Sequence, residues 1–538
     1  MPKVFYRNRC FELNHIELFA GCGGLGLGLA SAGFQLVMAN ELSPMAAETF
    51  SYNFFGEDLR AIADGMAEKP YSNRTKWLSS RFEIESMSDR LRENPHEYPH
   101  LGQGVCDINS VADLDGSLVV GSVVSLNGFV KKDERYLEAL RNCFGRGELD
   151  LVSGGPPCQS FSLAGLRQRD NDRNSLPWEM VKFVDLTRPK VALLENVTGI
   201  LRPFKKGGEE VYTWFEVAKA FAGVGYVPLC LHVNAKYAGV AQNRPRFIML
   251  ALRSDIYEKL ELKFNRAEKK FFNKSWQLYR DLMQGFSVSF GCIECYDVER
   301  SDHLSLFEDS FLSYLVSFRE DIRTVKDAID DLKMKPSSPS FYVSEINSIF
   351  SFIRSSDDIK NHDMRRNGAQ VKRRFRIYQV LEQLDKSDAR AVKDFLSGKC
   401  YRMPSDVAKR VMRFDFLDES GHYKYFKDKL DLELFMRSHS TKKRTQKALS
   451  AALPAPAALS IPDDTCHYDH DEIRTLSVRE MARIQSFPDG FVFRSKITTG
   501  GQQRKYEVPQ YTQVGNAVPP LLGKALGLAI KDLIKRID

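Results

Sequence analysis

Apolar runs and amphipathic stretches alternate through the first half of the chain. "HIELF" at 15–19 reads as a short strand, and "AGCGGLGLGLASAGF" after it as a glycine-rich turn and a short helix. "QLVMANE" at 35–41 is a second strand. "LDLVSGG", ending at Gly155, "KVALLENV" at 190–197, "VPLCLHVNA" at 227–235 and "RFIMLALR" at 246–253 continue the series. Helical patterns such as "TWFEVAKAFAGVG" lie between the later runs. Near-continuous apolar strands separated by helices predict a mostly parallel sheet covered on both faces, a doubly wound α/β fold.

The pattern changes after Arg253. Residues 254–470 carry more charge and lack buried-strand runs. "RRNGAQVKRRFR" at 365–376 holds six basic residues in twelve, and "RSHSTKKRTQK" at 437–447 holds five. "LPAPAALSIPDD" reads as an extended connector. Regular helices return at the end. "LSVREMARIQSF" has helical spacing, with Ser477 and Glu480 forming a capping box, and "PPLLGKALGLAIKDLIKRI" begins with the proline that a first helical turn tolerates. The expected organisation is a large lobe at 1–254, with an added helical segment at about 56–145, a small lobe at 255–470, and C-terminal helices at 471–538 that complete the large lobe.

At 538 residues the chain exceeds one compact core, so more than one domain is expected. Hydrophobic content of 43% and charged content of 27% are ordinary for a globular protein. A net charge of +7 is compatible with a polyanionic partner without requiring one. The first residues lack the apolar stretch of a signal peptide, and no window reaches the ~20 apolar residues of a membrane span, so a cytoplasmic protein is expected. Ten scattered cysteines suit reduced thiols. "GCIEC" gives one CxxC at Cys292 and Cys295, but only distant Cys400, Cys466 and His467 could complete a zinc site; no metal is expected.

Two loops carry candidate chemistry. "FAGCGGLGLG" follows a strand and opens a helix, the place where an open parallel sheet binds a nucleotide-like ligand. Its glycines do not fall in the usual GxGxxG order of dinucleotide enzymes. Glu41, at the end of the next strand, is placed to bind ribose hydroxyls. The second loop is "SGGPPCQSFS" at 153–162, where two prolines stiffen the backbone just before a lone thiol. A thiolate is a strong nucleophile, and this framing suits one presented to a substrate at a fixed angle.

These stretches together resemble the DNA cytosine-5 methyltransferases of bacterial restriction-modification systems. "ELFAGCGGLGLGL" is similar to the family's cofactor loop and "GGPPCQSFS" to its nucleophile loop. "ENV" at 195–197 matches the base-binding carboxylate, and "QNRPR" at 242–246 the family's Q-x-R-x-R. "LSVREMARIQSFPDGF" and "QVGNAVPP" match its two C-terminal motifs. All six occur in the family's order, from about residue 15 to the end. Residues 254–470 occupy the place of the family's variable target-recognition region and match no motif.

The resemblance implies methyl transfer from S-adenosylmethionine to carbon 5 of a cytosine in double-stranded DNA. Cys158 would add to carbon 6 of a base flipped from the duplex. Glu195 would bind ring nitrogen 3 and the amino group, Asn196 would brace the cysteine loop, Arg246 would contact oxygen 2, and Arg244 would hold the loop or a phosphate. Phe19, Gly21, Gly23, Gly24, Leu25, Glu41, Asn516 and Val518 would line the cofactor. The aspartate that the family places near the adenine amino group has two candidates. Asp107 stands in "VCDINS"; Ser122 follows the more strand-like "LVVGSVVSL" and is slightly preferred. Gln159, Ser160, Ser162 and Gln242 would contact DNA, as would Lys372, Arg373 and Arg374 through phosphates. A separate restriction endonuclease and a monomeric state are expected. The rival reading is a transfer-RNA cytosine-5 methyltransferase of the same fold, which would not need so large a recognition region. A relative that binds DNA without turnover is disfavoured because Cys158 and Glu195 are both present.

Overall fold

The computed structural model describes residues 12–66, 73–157, 175–206, 208–353, 358–440, 446–457 and 465–537. β1 (Leu13–Leu18) passes through the glycine turn into α1 (Gly24–Ala32), and β2 (Phe34–Glu41) leads to α2 (Pro44–Phe55). Next come β3 (Thr75–Trp77), β4 (Ser117–Val120), α3 (Val123–Val130), β5 (Leu151–Gly154) and α4 (Leu176–Thr187). They are followed by β6 (Val191–Val197), α5 (Thr213–Gly223), β7 (Tyr226–Asn234) and β8 (Pro245–Arg253). The later elements that matter here are α6 (Arg266–Met283), β9 (Cys295–Asp297), α7 (Ala369–Gln383), α8 (Lys429–Ser438), α9 (Val478–Ile484) and α10 (Pro520–Lys535).

Nine strands join one sheet in the order β9-β7-β8-β6-β5-β1-β2-β4-β3. Only β8 runs against its neighbours, β6 and β7. The chain builds outward from β1 to one side, then returns to place β5 on the other side of β1. That reversal leaves a crevice at the carboxyl ends of β1 and β5, where ligands bind in open sheets of this kind. Side chains alternate between two cores. Leu118, Val120, Leu151 and Leu193 pack on one face, and Val119, Val152, Ala192 and Leu194 on the other. Burial on both faces is why these strands read as continuous apolar runs.

The C-terminal helix packs on this unit. α10 lies against α1 at backbone distance. A Cβ on Gly28 would sit 2.5 Å from the Lys524 nitrogen, and one on Gly523 would sit 3.0 Å from the Leu25 carbonyl oxygen. Only glycines on both helices permit that approach.

Two expected segments divide differently. The added segment holds helices, but it also supplies β3 and β4, the strands beyond β2. The stretch expected as one small lobe at 255–470 splits. α6 packs its Phe271 and Phe272 into the main core, and β9 extends the main sheet, with Tyr296 opposite Leu231. A separate core begins only at α7. It gathers Phe375, Val392, Phe395, Val411, Phe416, Leu432, Met436 and Cys466. Among the described residues no helix is long and apolar enough to cross a membrane.

Candidate active site

The cofactor-loop residues converge at the carboxyl end of β1. Phe19, Gly21 and Gly23 all adopt positive φ, at 54°, 58° and 96°. The backbone thus turns back on itself before α1 begins. A Cβ on Gly23 would collide with the Phe54 ring, and one on Gly24 with the Val518 carbonyl oxygen. Val518 therefore backs directly onto the loop, and Leu25 is buried behind it. Asn516 is exposed nearby in sequence.

Glu41 stands at the lip of this loop. One carboxylate oxygen accepts from the Gly21 N–H at 2.8 Å, and the other accepts from the Ser43 N–H at 2.8 Å. Burial raises its pKa, while these donors oppose the rise. A carboxylate fixed by two amides keeps lone pairs for two further donors, which fits a ribose diol. The bent glycine backbone and the fixed carboxylate together fit an adenosine-type cofactor.

Behind the loop lies a group that sequence reading missed. Glu17 is 2% exposed. One of its oxygens accepts from the Gly26 N–H at 3.1 Å, and the other has no partner among the described residues. Burial pushes this carboxyl up to about 8. The signal was present in the acidic start of "ELFAG", but an acid at a strand end reads equally well as a ligand.

Of the two adenine-side candidates, Ser122 is on the same edge as Glu41. The Gly121 N–H donates to the Glu41 carbonyl at 2.9 Å, and the Ser122 hydroxyl oxygen caps α3 by accepting from Val124 N–H at 3.2 Å. Asp107 is committed elsewhere. Arg90 donates to both of its oxygens, at 2.6 and 3.0 Å, and the Trp77 N–H donates to one at 2.8 Å. Its acceptor positions hold the segment around β3 together.

The second half of the site forms where β5, β6 and β8 end. Cys158, Gln159, Ser160 and Ser162 lie outside the described residues, but the chain leading to Cys158 is placed. The Asn196 amide donates to the Pro156 carbonyl at 3.1 Å. Glu195 faces the same turn, since a Cβ on Gly155 would lie 3.1 Å from its Oε2. Its other oxygen, Oε1, lies 2.7 Å from Nε of Arg246. The two side chains form a close ion pair. Both side chains are about a tenth exposed, at 11% and 10%. Burial depresses the Arg246 pKa, and the Glu195 charge opposes that shift. The register places β8 antiparallel to β6, with Arg246 opposite Val197, which aims the arginine back at the strand end.

Three expected contacts are corrected. Arg244 is 2% exposed, and its guanidinium donates to the Gly515 and Ala517 carbonyls, both at 2.9 Å. Among the described residues it holds the C-terminal segment. Gln242, expected on DNA, is fully buried and donates to the Pro456 carbonyl at 3.2 Å. In the basic run at 365–376, Lys372 is exposed, but Arg373 donates to His439 at 3.0 Å and Arg374 to the Ser440 carbonyl at 3.3 Å. Arg376 is buried against Asp415. Residues 441–445 of the second run lie outside the described residues. Among the described residues no group of three or more His, Cys, Asp or Glu side chains is placed to hold a metal ion.

The family model described as "C-5 cytosine-specific DNA methylase" matches residues 13–70 and 131–532. The chain belongs to this family. The methylase is 25% identical over 527 residues to "Type II methyltransferase M.DdeI" of Desulfomicrobium norvegicum, covering 98% of this chain and 90% of that one. It is 24% identical over 529 residues to "Type II methyltransferase M1.HphI" of Haemophilus parahaemolyticus, covering 97% and 87%. A solved E. coli structure, titled as a putative DNA modification methyltransferase encoded within a prophage, matches with a TM-score of 0.46 at 18% identity, covering 97% of this chain and 100% of that one. The enzyme is a DNA (cytosine-5) methyltransferase that uses S-adenosylmethionine.

Proposed function

We propose that Cys158 is the nucleophile, Glu195 the base-binding acid and Asn196 the brace of the nucleophile loop, acting on a cytosine flipped from double-stranded DNA. The observation that carries this reading is the convergence at Gly155 and Pro156. The Glu195 carboxylate and the Asn196 amide both meet the chain just before Cys158. The Cys158 thiolate adds to carbon 6, and Glu195 manages the proton at ring nitrogen 3 as charge enters the ring. Arg246 holds one Glu195 oxygen, so the other keeps a fixed aim without reorganisation during the reaction. Bound at the glycine loop, S-adenosylmethionine supplies an activated methyl group. With the cofactor bound, the methyl group would pass to carbon 5, made electron-rich by the Cys158 thiolate, leaving S-adenosylhomocysteine; the carbon-5 proton would then go to solvent as the bond from carbon 6 to sulfur breaks and returns Cys158 as the thiolate. Arg244 acts on this site only as a positioning residue through the 515–517 segment.

The same proposal places the enzyme in a bacterial cytoplasm as the protective, monomeric methylase of a restriction system whose endonuclease is a separate protein. The Type II relatives support that setting. The recognition elements belong to the independent core from α7 onward. The test is a Cys158→Ser variant assayed with duplex DNA that carries 5-fluorocytosine. The wild-type protein should form a covalent adduct, because the fluorine cannot leave as a cation. The variant should form none and should retain less than a hundredth of the wild-type rate. A variant with a tenth of that rate would remove Cys158 from its role.

A further inference from the structure

The family model leaves residues 71–130 unmatched. This span nevertheless builds the sheet edge beside Glu41. Glu41, Val120 and Trp77 stand in one register row across β2, β4 and β3. The next residue of each strand continues the row. The Leu78 N–H donates to the Val120 carbonyl at 2.9 Å, and Leu78 crowds Gly121, with 3.0 Å from its Cβ to a Cβ built there.

From Leu78 the chain runs out and back as a strap to Asp107. It closes on itself at the Ser80–Val105 bridge and where the Asp107 N–H donates to the Trp77 carbonyl. Arg90 is fully buried inside it, paired to Asp107, donating to the Phe82 carbonyl at 3.0 Å and lying 5.2 Å from the Trp77 ring centre. Glu93 accepts from the Ser80 hydroxyl at 2.7 Å and the Arg81 N–H at 2.9 Å. A strap pinned by a buried ion pair is a wall, and its position is fixed relative to β4.

Tyr98 is the strap side chain that reaches the chain just past β2, and its ring also packs against the main core. Its hydroxyl donates to the Leu42 carbonyl at 3.4 Å, one residue past Glu41. The ring is half-buried. The geometry constrains where a base can go. With a ribose at Glu41, the β1 side is filled by the glycine loop and Val518, so the purine must extend along the strand-end row toward Ser122 and the strap.

We infer that the 78–107 strap closes the adenine end of the cofactor site, with the Tyr98 ring as a face against which the purine packs. The inference rests on the assignment of Glu41 to the ribose. In the full-length protein, calorimetric titration uses two probes, S-adenosylhomocysteine and 5′-methylthioadenosine. Tyr98→Ala should weaken both by about tenfold, the loss of one aromatic–base stack. Tyr98→Phe should stay within about threefold, because a 3.4 Å hydroxyl contact is long. In the unaltered protein, amides at 95–102 should gain exchange protection when S-adenosylhomocysteine binds, a readout that no folding defect can mimic. Unchanged affinity in Tyr98→Ala with normal loss in Glu41→Ala would overturn the strap contact alone. Equal loss in the Phe and Ala variants would overturn the ring contact. Normal affinity in Glu41→Ala would overturn the ribose assignment and the strap with it.

Discussion

Replacing Arg244 with alanine separates the two roles that this position could have. Nη2 donates to the Gly515 and Ala517 carbonyls at 2.9 Å each, while the Nη1 contact to Gln242 is long at 3.4 Å. Two charge-assisted bonds are worth about 1.5–3 kcal/mol apiece, so their loss costs roughly 3–6 kcal/mol. Two effects reduce that figure. Gly515 and Ala517 are half-buried, so water can reach their carbonyls. Burial and the neighbouring Arg246 also depress the Arg244 pKa, and deleting the cation relieves both penalties. A net cost of about 2–4 kcal/mol remains. It falls on the 515–518 segment, whose Val518 carbonyl touches Gly24. Cofactor affinity is the better readout, because a chain with separate cores need not unfold in one step. The dissociation constant for S-adenosylhomocysteine should rise at least tenfold, whereas the salt dependence of DNA binding should keep its slope. A slope reduced by about one with unchanged cofactor affinity would mean that Arg244 neutralises a phosphate, and the positioning argument would be wrong.

Two other perturbations have directions set by the structure. Glu17 has a folded pKa near 8 against an ordinary 4.5, so its stabilising contribution is complete below pH 4.5 and is lost as pH rises toward 8. Unfolding free energy should therefore decline across that window by up to about 1.4 kcal/mol per pH unit from this group. Glu17→Gln, measured by native-state hydrogen exchange at the β1 and α1 amides from pH 5 to 8.5 with the intrinsic exchange rate divided out, should remove the decline; an unchanged slope would show that another group titrates. Replacing Lys372, Arg373 and Arg374 together with alanine should weaken binding to every duplex alike, with the methylated sequence unchanged. The log–log salt slope should drop by about one and not three, because the two arginines already hold His439 and the Ser440 carbonyl. A change in the methylated sequence would instead assign these side chains to base reading.

The central sheet was legible because its strands are buried on both faces and carry little but apolar residues. β7 and β8 could be read to within a residue or so at each end for that reason. β3 could not be read. Its three residues are held by Asp107, which lies 30 residues from Trp77 along the chain, and by Arg90. Such a strand exists through tertiary pairing and leaves no periodicity of its own. The same limit applies to the charged stretch after Arg253. α6 is polar on average, yet its Phe271, Phe272 and Leu278 form one buried stripe. Charge runs misled most where arginine is structural. Arg376 reads as part of a phosphate-binding cluster, but it is buried and bonded to Asp415 and Gln379.

The motif residues were found in sequence, but their division of labour came from packing. Glu195 and Arg246 are both recognisable, and their contact across β6 and β8 is what would fix the acid's aim in the proposed mechanism. Arg244, two residues away, feels that environment, since the charges of Arg246 and Glu195 both act on it, but its guanidinium donates into the Gly515 and Ala517 carbonyls. The result is a continuous mechanical path. Gly24 of the cofactor loop abuts Val518, the preceding carbonyls are held by Arg244, and Arg246 on the same short run pairs with Glu195, whose free oxygen faces Gly155. A displacement anywhere along this path moves the glycine loop relative to Glu195, the carboxylate proposed to bind the base. Stiffness along it therefore matters to catalysis in the same way as the prolines before Cys158, since reacting groups misplaced by about 1 Å can lose a hundredfold in rate.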